Sequence, residues 1–452
     1  MFLLPLPFGE RMGAKRHTYG NNGAMPTSAI RSPLPSFATT ALNTRIAFLV
    51  ELATRLHKYG AASPRLEMAI SGSAQRIGLH ADVWSSPTAI IISFSDLAHG
   101  DEARLAQVTQ VIRLTPGDVN LDKLCRADEI ADRVIDGELD LREGFRLLRA
   151  LELPDTPRQQ AGVIISYGLS AAAIDALFLH SSWVDLCVAG LVGLIIGMIT
   201  ILSATRPRLQ VASDAICAMV ATLVAIVFSA FVVPLAIKSV VLAGLIVLVP
   251  GMSLTTAVRE ISSLHLVAGM ARMGGAMSTL LKLTFGTVAA TQVCAVFGIE
   301  PRDFALPALP EWMDYPALLV AAIAFAMLFR AAWRDWPAVI VAVIVGYLAT
   351  RLGGAISPNL NGAPFGVFLG GLLLSALANV YARYAGRPGA VIREPGILLL
   401  VPGSVGFRSV SYLLERNASL GFDSMVLLVT ILISLVAGLM FGELLIAPRR
   451  SL

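Results

Sequence analysis

The hydrophobic rhythm of the chain changes once, near residue 157. Before that point apolar positions recur within polar surroundings. From about 41 to 58, Leu42, Ile46, Leu49, Leu52 and Leu56 keep to one face, which predicts an amphipathic helix closed by Gly60. Ser63 and Pro64 read as the N-cap and first position of a second helix, with Leu66, Ile70 and Ile77 on its inner face and Gly78 at its end. Two runs rich in β-branched residues follow, 88–94 and 106–114, and the polar segment 95–104 between them makes a hairpin pattern. Amphipathic helices at about 121–136 and 141–152 complete a small α+β domain over 41–155, with Pro154 and Pro157 in a linker. Residues 1–40 hold Pro, Ser, Gly and Asn with little periodicity and read as a disordered leader, or as translation begun upstream of a true start at Met12 or Met25; their apolar start precedes any basic residue, the reverse of a secretory signal.

Beyond 160 the alternation gives way to long apolar runs near 161–180, 184–203, 213–235, 239–256, 266–297, 315–332, 336–352, 364–383, 395–413 and 424–446. A bilayer crossing takes about 20 apolar residues. The expected fold is therefore a polytopic α-helical membrane protein with ten transmembrane helices behind a small N-terminal α+β cytoplasmic domain. The fifth run is long for one crossing, so its start is expected to be interfacial. Composition sharpens the division. Residues 41–155 carry 13 Lys/Arg and 17 Asp/Glu, whereas the 297 residues from 156 onward carry only 18 and 13. The basic balance of +4 comes from loop arginines and does not point to nucleic acid. Cys125, Cys187, Cys217 and Cys294 lie far apart and read as small hydrophobes rather than a disulfide or zinc framework.

The ten runs divide into two sets of five. The segment 247–260 reads VLVPGMSLTTAVRE and 399–412 reads LLVPGSVGFRSVSY, an offset of 152 that also maps the first three runs onto the sixth, seventh and eighth. A unit with an odd number of crossings must insert its second copy upside down, so 161–297 and 315–446 are expected to be inverted repeats. Arginine placement gives the orientation. Arg206, Arg208, Arg259, Arg330, Arg334, Arg383, Arg387, Arg393, Arg449 and Arg450 fall on the side of the soluble domain, against Lys238, Arg302, Arg351 and Arg416 opposite. This agrees with positive loops on the cytoplasmic side and puts both ends of the chain there.

Chemistry concentrates at the two Pro-Gly pairs. Proline and glycine inside a membrane helix free backbone groups that protein or solute must satisfy. Breaks at Pro250-Gly251 and Pro402-Gly403 would offer half-helix N-termini to a carboxylate and freed carbonyls to an ammonium, with hydroxyls from Ser253, Thr255, Thr256 and Ser404. The alternative is a pair of kinks that only shape packing. Among ionisable residues, Arg408 is placed to take a substrate carboxylate bidentately. Arg259 and Glu260 are either coupling groups or an inner-face pair. Asp175 and Asp185 are candidates to carry a coupling proton, because a buried carboxyl holds its proton more tightly, although Asp185 equally suits a solvated helix end. Arg272 and Lys282 are expected to snorkel or to pair with these acids, and Asn379 to bind solute or a neighbouring helix. No Walker A, GxSxG, HExxH or CxxC motif occurs and the six histidines show no ligand spacing, so no cofactor or metal is expected.

Three stretches then suggest a family. Residues 59–79 (YGAASPRLEMAISGSAQRIGL) with SPTAIIISF, the segment VLVPGMSLTTAVRE, and PGILLLVPGSVGFRS near the end together resemble the bacterial threonine/serine exporter family, in a single-chain form carrying both halves. The resemblance spans about 41 to 446. It implies a multi-pass exporter of small hydroxy amino acids in a bacterial cytoplasmic membrane, driven by the proton gradient. Glu67, Trp183, Asp185, Pro250, Gly251, Arg259, Asn379, Pro402, Gly403, Phe407 and Arg408 are the family-like positions. Ile174-Asp175 and His180-Ser181 depart from the family, which has an apolar residue and a Gly-Gly pair there.

The leading expectation is proton-coupled export of threonine or serine, with a small-molecule substrate and the lipid bilayer as partners. Alternatives are export of small dicarboxylates, a hydrolase domain using Glu67 and His57 to feed a pore, or a regulatory module through which the chain forms a homo-oligomer.

Overall fold

The computed structural model describes residues 41–97, 108–302, 304, 307–356, 363–414 and 417–447. The expected leader, most of the 95–104 segment, Arg416, Arg449 and Arg450 lie outside them. The soluble part contains α1 (Leu42–Lys58), α2 (Ser63–Arg76), the strands β1 (Leu79–Ser86), β2 (Ala89–Asp96) and β3 (Val108–Arg113), then α3 (Leu121–Ile135) and α4 (Leu141–Ala150). The sheet is antiparallel in the order β1-β2-β3. The expected β2–β3 pairing is present, with Ala89 opposite Arg113 and Phe94 opposite Val108. The sequence pattern missed β1, which runs opposite β2 from Leu79–Asp96 to Ser86–Ala89. It missed it because LHADVWSS holds few β-branched residues, although its first positions alternate buried and exposed. Phe48, Leu49, Leu52, Ile70, Ile90 and Phe94 are fully buried in the core. Burial of each large apolar side chain there contributes ~1.5–3 kcal/mol. Ser63 is not the N-cap of α2. Ala62 takes that position, and Ser63 and Pro64 are the first two helical residues.

A Thr156–Gln159 capping box then launches the membrane region at Pro157. Its helices are α5 (Pro157–Ile174), α6 (Trp183–Ala204), α7 (Pro207–Phe231), α8 (Ile237–Gly244), α9 (Gly251–Ser262), α10 (Leu266–Val296), α11 (Asp314–Leu328), α12 (Trp336–Ile356), α13 (Ala363–Ala385), α14 (Ala390–Ile397), α15 (Gly403–Leu414) and α16 (Ala418–Leu445). Among the described residues eight helices are long and apolar enough to cross a membrane, rather than ten. The difference lies in the fourth and ninth runs. Each is a broken pair, α8–α9 and α14–α15, and no member reaches 18 residues. The fifth run is one helix of 31 residues. α5 ends in a π-helical turn, Asp175–Leu179, and His180 in the left-handed conformation (φ 48°) stops it.

Contacts between helices follow two matching sets. In the first, α6 packs on α5, α7 and α8, while α7 packs on α8 and α10, and α9 on α10. In the second, α12 packs on α11, α13 and α14, while α13 packs on α14 and α16, and α15 on α16. Between the sets α5 meets α11, α9 meets α15 and α16, and α10 meets α15.

One end of the helical region carries the soluble domain. There Leu121 N–H donates to Phe329 O at 2.9 Å and Asp122 N–H to Arg330 O at 3.2 Å, while a single apolar cluster continues from Phe48 through Leu121 into Phe325 and Phe329. At the opposite end Leu235 N–H donates to Arg302 O at 3.3 Å and Leu309 N–H to Ser181 O at 3.1 Å.

Candidate functional site: two helix starts in contact

α8 begins beside Arg302, at the end remote from the soluble domain, and α9 ends beside it, where Ser63 N–H donates to Glu260 Oε1 at 3.2 Å. α14 begins at the domain end, with Ala390 and Arg393 beside Arg65, and α15 finishes remote from it. The two broken pairs therefore run in opposite directions. Within each, the first helix ends at Gly244 or Ile397, turns follow, and the second helix starts only after a Val-Pro pair, whose proline cannot donate to the preceding turn. Gly251 N–H turns back onto Val249 O at 2.8 Å, and Leu254 N–H reaches Pro250 O at 3.0 Å, which starts α9. In the second break Val401 N–H closes on Ile397 O at 3.0 Å and Gly406 N–H on Pro402 O at 3.1 Å, which starts α15.

These two starts touch. A Cβ placed on Gly251 would lie 2.2 Å from Val401 Cγ1 and 3.0 Å from Gly403 Cα, and one placed on Gly403 would lie 2.9 Å from Val249 Cγ1. Only glycine admits so close an approach of two backbones. The expected residues Pro250, Gly251, Pro402 and Gly403 thus come together at one point, and Ser253 and Ser404 lie within two residues of it. The first N–H groups of a helix have no partner within it. Those of Met252, Ser253, Ser404 and Val405 meet no backbone carbonyl among the described residues. Two positive helix ends therefore converge, an arrangement that favours an anion. Ser253, Thr256 and Ser404 are half-buried. Thr255 instead uses its hydroxyl on Gly251 O at 3.1 Å.

Other expected residues lie elsewhere. Asn379 is buried on α13 and donates to Ile446 O at 2.6 Å, which ties down the end of α16. Arg408 is exposed near the middle of α15, five residues beyond Gly403. Arg259 and Glu260 occupy the domain end, and each holds a different partner. Arg259 pairs with Glu443 of α16. Glu260 is fully buried and takes Arg272 Nε and Nη2, both at 3.0 Å. Arg272 and Lys282 do not pair with Asp175 or Asp185, since Lys282 lies 3.5 Å from Asp214. Asp185 is not a solvated end. It is buried, closes a capping box with Ser182, and accepts from Ala236 N–H at 2.9 Å. Asp175 sits in the π-turn that packs on α8. One carboxylate oxygen accepts from Ser181 Oγ at 3.0 Å, and the other has no partner among the described residues.

Sequence reasoning passed over Glu443, a lone acid in an apolar run and hence a visible signal. It also missed the joint made by His265 Nε2 and Glu67 Oε2 at 3.0 Å. His57 and Glu67 do not form an acid–base pair. His57 bonds Pro87 O at 3.2 Å, and burial lowers its pKa, while Glu67 accepts from Ser85 N–H at 2.8 Å. Among the described residues no cluster of His, Cys, Asp and Glu could hold a metal ion.

Comparison with known proteins gives two family matches. Residues 47–294 match the model described as "Putative threonine/serine exporter" and 315–445 the one described as "Threonine/Serine exporter, ThrE". Among curated relatives, "Pheromone-regulated membrane protein 10" of Zygosaccharomyces rouxii is 23% identical over 397 residues, covering 84% of this chain and 39% of that protein. The protein of the same name from Saccharomyces cerevisiae is 23% identical over 391 residues, 82% of this chain and 49% of that one. "Uncharacterized protein C7D4.12c" of Schizosaccharomyces pombe is 20% identical over 368 residues, 79% and 47%. The chain thus spans about half the length, or less, of these relatives, and all three are fungal where the sequence reading expected a bacterial setting. No solved structure matches.

Proposed function

The chain belongs to the threonine/serine exporter family, and from that premise we propose that it is a ten-crossing secondary transporter exporting a small polar amino acid, threonine or serine, coupled to protons. The broken pairs α8–α9 and α14–α15 each complete one crossing in this reading, which adds two to the eight continuous helices. The matching contact sets support an inverted repeat. Exchanging α5–α10 for α11–α16 maps every within-set pairing onto its counterpart and turns the α9–α16 contact into α15–α10. The soluble domain and the two domain-side ends, near 41 and 447, then face the cytoplasm.

The observation that carries the functional reading is the meeting of the α9 and α15 starts at Gly251 and Gly403. Two positive helix ends receive the substrate carboxylate there, and Ser253, Thr256 and Ser404 offer hydroxyls to its polar side chain. Asp175, buried against α8 with one oxygen unmatched among the described residues, carries the coupling proton. Hydrolysis by the soluble domain is disfavoured by the separate engagements of His57 and Glu67. Cells loaded with a threonine-containing dipeptide provide the test. Saturable threonine efflux that an uncoupler abolishes is the expected result, and unsaturable, uncoupler-insensitive efflux would overturn it.

A further inference from the structure

Glu443 of α16 stands between two arginines at the domain end of the helical region. Arg259 Nη2, on α9 of the first set, donates to Glu443 Oε1, and Arg393 Nη1, on α14 of the second set, reaches the same oxygen at 3.4 Å. Arg393 is buried, whereas Arg259 and Glu443 are half-buried. The Arg259–Glu443 pair therefore bonds one set of helices to the other, and its carboxylate stands between two like charges. Partly desolvated, the two guanidiniums repel one another once that charge is gone. Arg259 also belongs to the helix that begins at Gly251, about 12 Å away along the axis, so whatever holds Arg259 holds the start of α9.

The opposite end is built differently. The inverted-repeat reading, on which this comparison rests, pairs each position with one 152 residues away. It carries Arg259 to Ser411, Arg393 to Val241 and Glu443 to Thr291, none of which bears a charge. Where α15 meets α10 the contact is apolar: a Cβ on Gly406 would lie 3.5 Å from Leu280, which shares a cluster with Phe407. One seam between the sets is thus fastened by a directional ion pair, and its counterpart by apolar side chains. We propose that Arg259 and Glu443, backed by Arg393, form a latch that shuts the domain side of the transport path and biases the carrier towards opening on the remote side. Loading from the domain side requires the pair to part. While it is formed, solute that binds from the remote side meets a closed path.

Access to the helix starts tests the idea. In a cysteine-free full chain, Ser253→Cys beside the α9 start is labelled with an impermeant maleimide from each face of sealed membrane vesicles, and the two rates are compared. Glu443→Gln should raise the rate from the domain side and lower that from the remote side, each by about fivefold, the low end of coupling between linked states. Arg259→Gln leaves Glu443 held by Arg393 and should give the same reciprocal change, but smaller, so it serves should Glu443→Gln not fold. Lys282→Gln removes a pair confined to the first set, with Asp214, and should move neither rate. Parental rates in both latch variants, or rates that rise from both faces as in a merely loosened bundle, would overturn the proposal. Efflux, measured with Ser253 intact, separates it from the transporter reading. Saturable export with parental labelling rates in Glu443→Gln removes the latch and leaves the exporter. Reciprocal rates in a chain that exports nothing remove the exporter and leave the latch.

Discussion

Gly251 and Gly403 were conspicuous in the sequence as the second members of two Val-Pro-Gly segments, but the reason each must be glycine was not. A one-dimensional pattern shows that a helix is interrupted and cannot show that another interruption lies against it. Contact places Val401 Cγ1 where the side chain of residue 251 would begin. Gly251→Ala must therefore push two backbones apart, with an overpacking cost of about 1–3 kcal/mol, and Gly251→Val more. The expected outcome is a protein that still inserts but melts lower and loses efflux, while Ser262→Val, exposed at the far end of α9, changes neither. Asp185 and Asn379 show the opposite failure. Their polarity inside apolar runs was legible, but their partners, Ala236 N–H and Ile446 O, lie 51 and 67 residues away.

At the scale of elements, long periodic runs were read well and short ones poorly. Eight continuous helices match eight of the ten runs, because nothing inside them competes with the apolar signal. Strand β1 needed tertiary contacts to define it, whereas the breaks at Pro250-Gly251 and Pro402-Gly403 were legible from the residues themselves. Two joints between elements make predictions. The buried Glu260 on α9 pairs with the half-buried Arg272 on α10; removing one partner of a fully buried pair costs about 3–5 kcal/mol, and of this one less, whereas replacing both by apolar residues is often near neutral. Glu260→Gln should therefore lower the melting temperature strongly, and Glu260→Leu with Arg272→Met should recover most of it. Glu152, past the end of α4, is bound by Arg55 and Lys58 of α1, and their hydrogen bonds hold its pKa down to about 2 from an ordinary 4.5. A depressed carboxylate stabilises the fold at pH above its ordinary pKa, and that contribution is lost as pH falls toward 2. Acid unfolding of the chain between pH 5 and 2 should thus shallow in Glu152→Gln, modestly, because the group is half-exposed.

At the scale of the molecule, the soluble domain shares an apolar cluster with the end of α11 nearest to it and is not a tethered bead. Sequence composition distinguishes a charged stretch from an apolar one but could not reveal that the two share a core, since a shared core leaves no periodic trace. The proposed crossings of the broken pairs can be checked by sided labelling in a cysteine-free chain. Ser263→Cys and Tyr384→Cys should react with an impermeant maleimide only from the cytoplasmic face, and Val232→Cys and Leu414→Cys only from the other. Reaction of Val232→Cys and Ser263→Cys from one face would make α8–α9 a re-entrant loop.

The head-to-head meeting of α9 and α15 bears also on what the membrane must keep out. Two dipoles that point their positive ends at one spot raise the local potential in a medium that screens it poorly, so a bare sodium or potassium ion meets a barrier there. In the transporter proposed above, such a centre would pass a molecule that brings its own negative charge and still act as an insulator toward inorganic cations, leaving the electrical gradient unshorted.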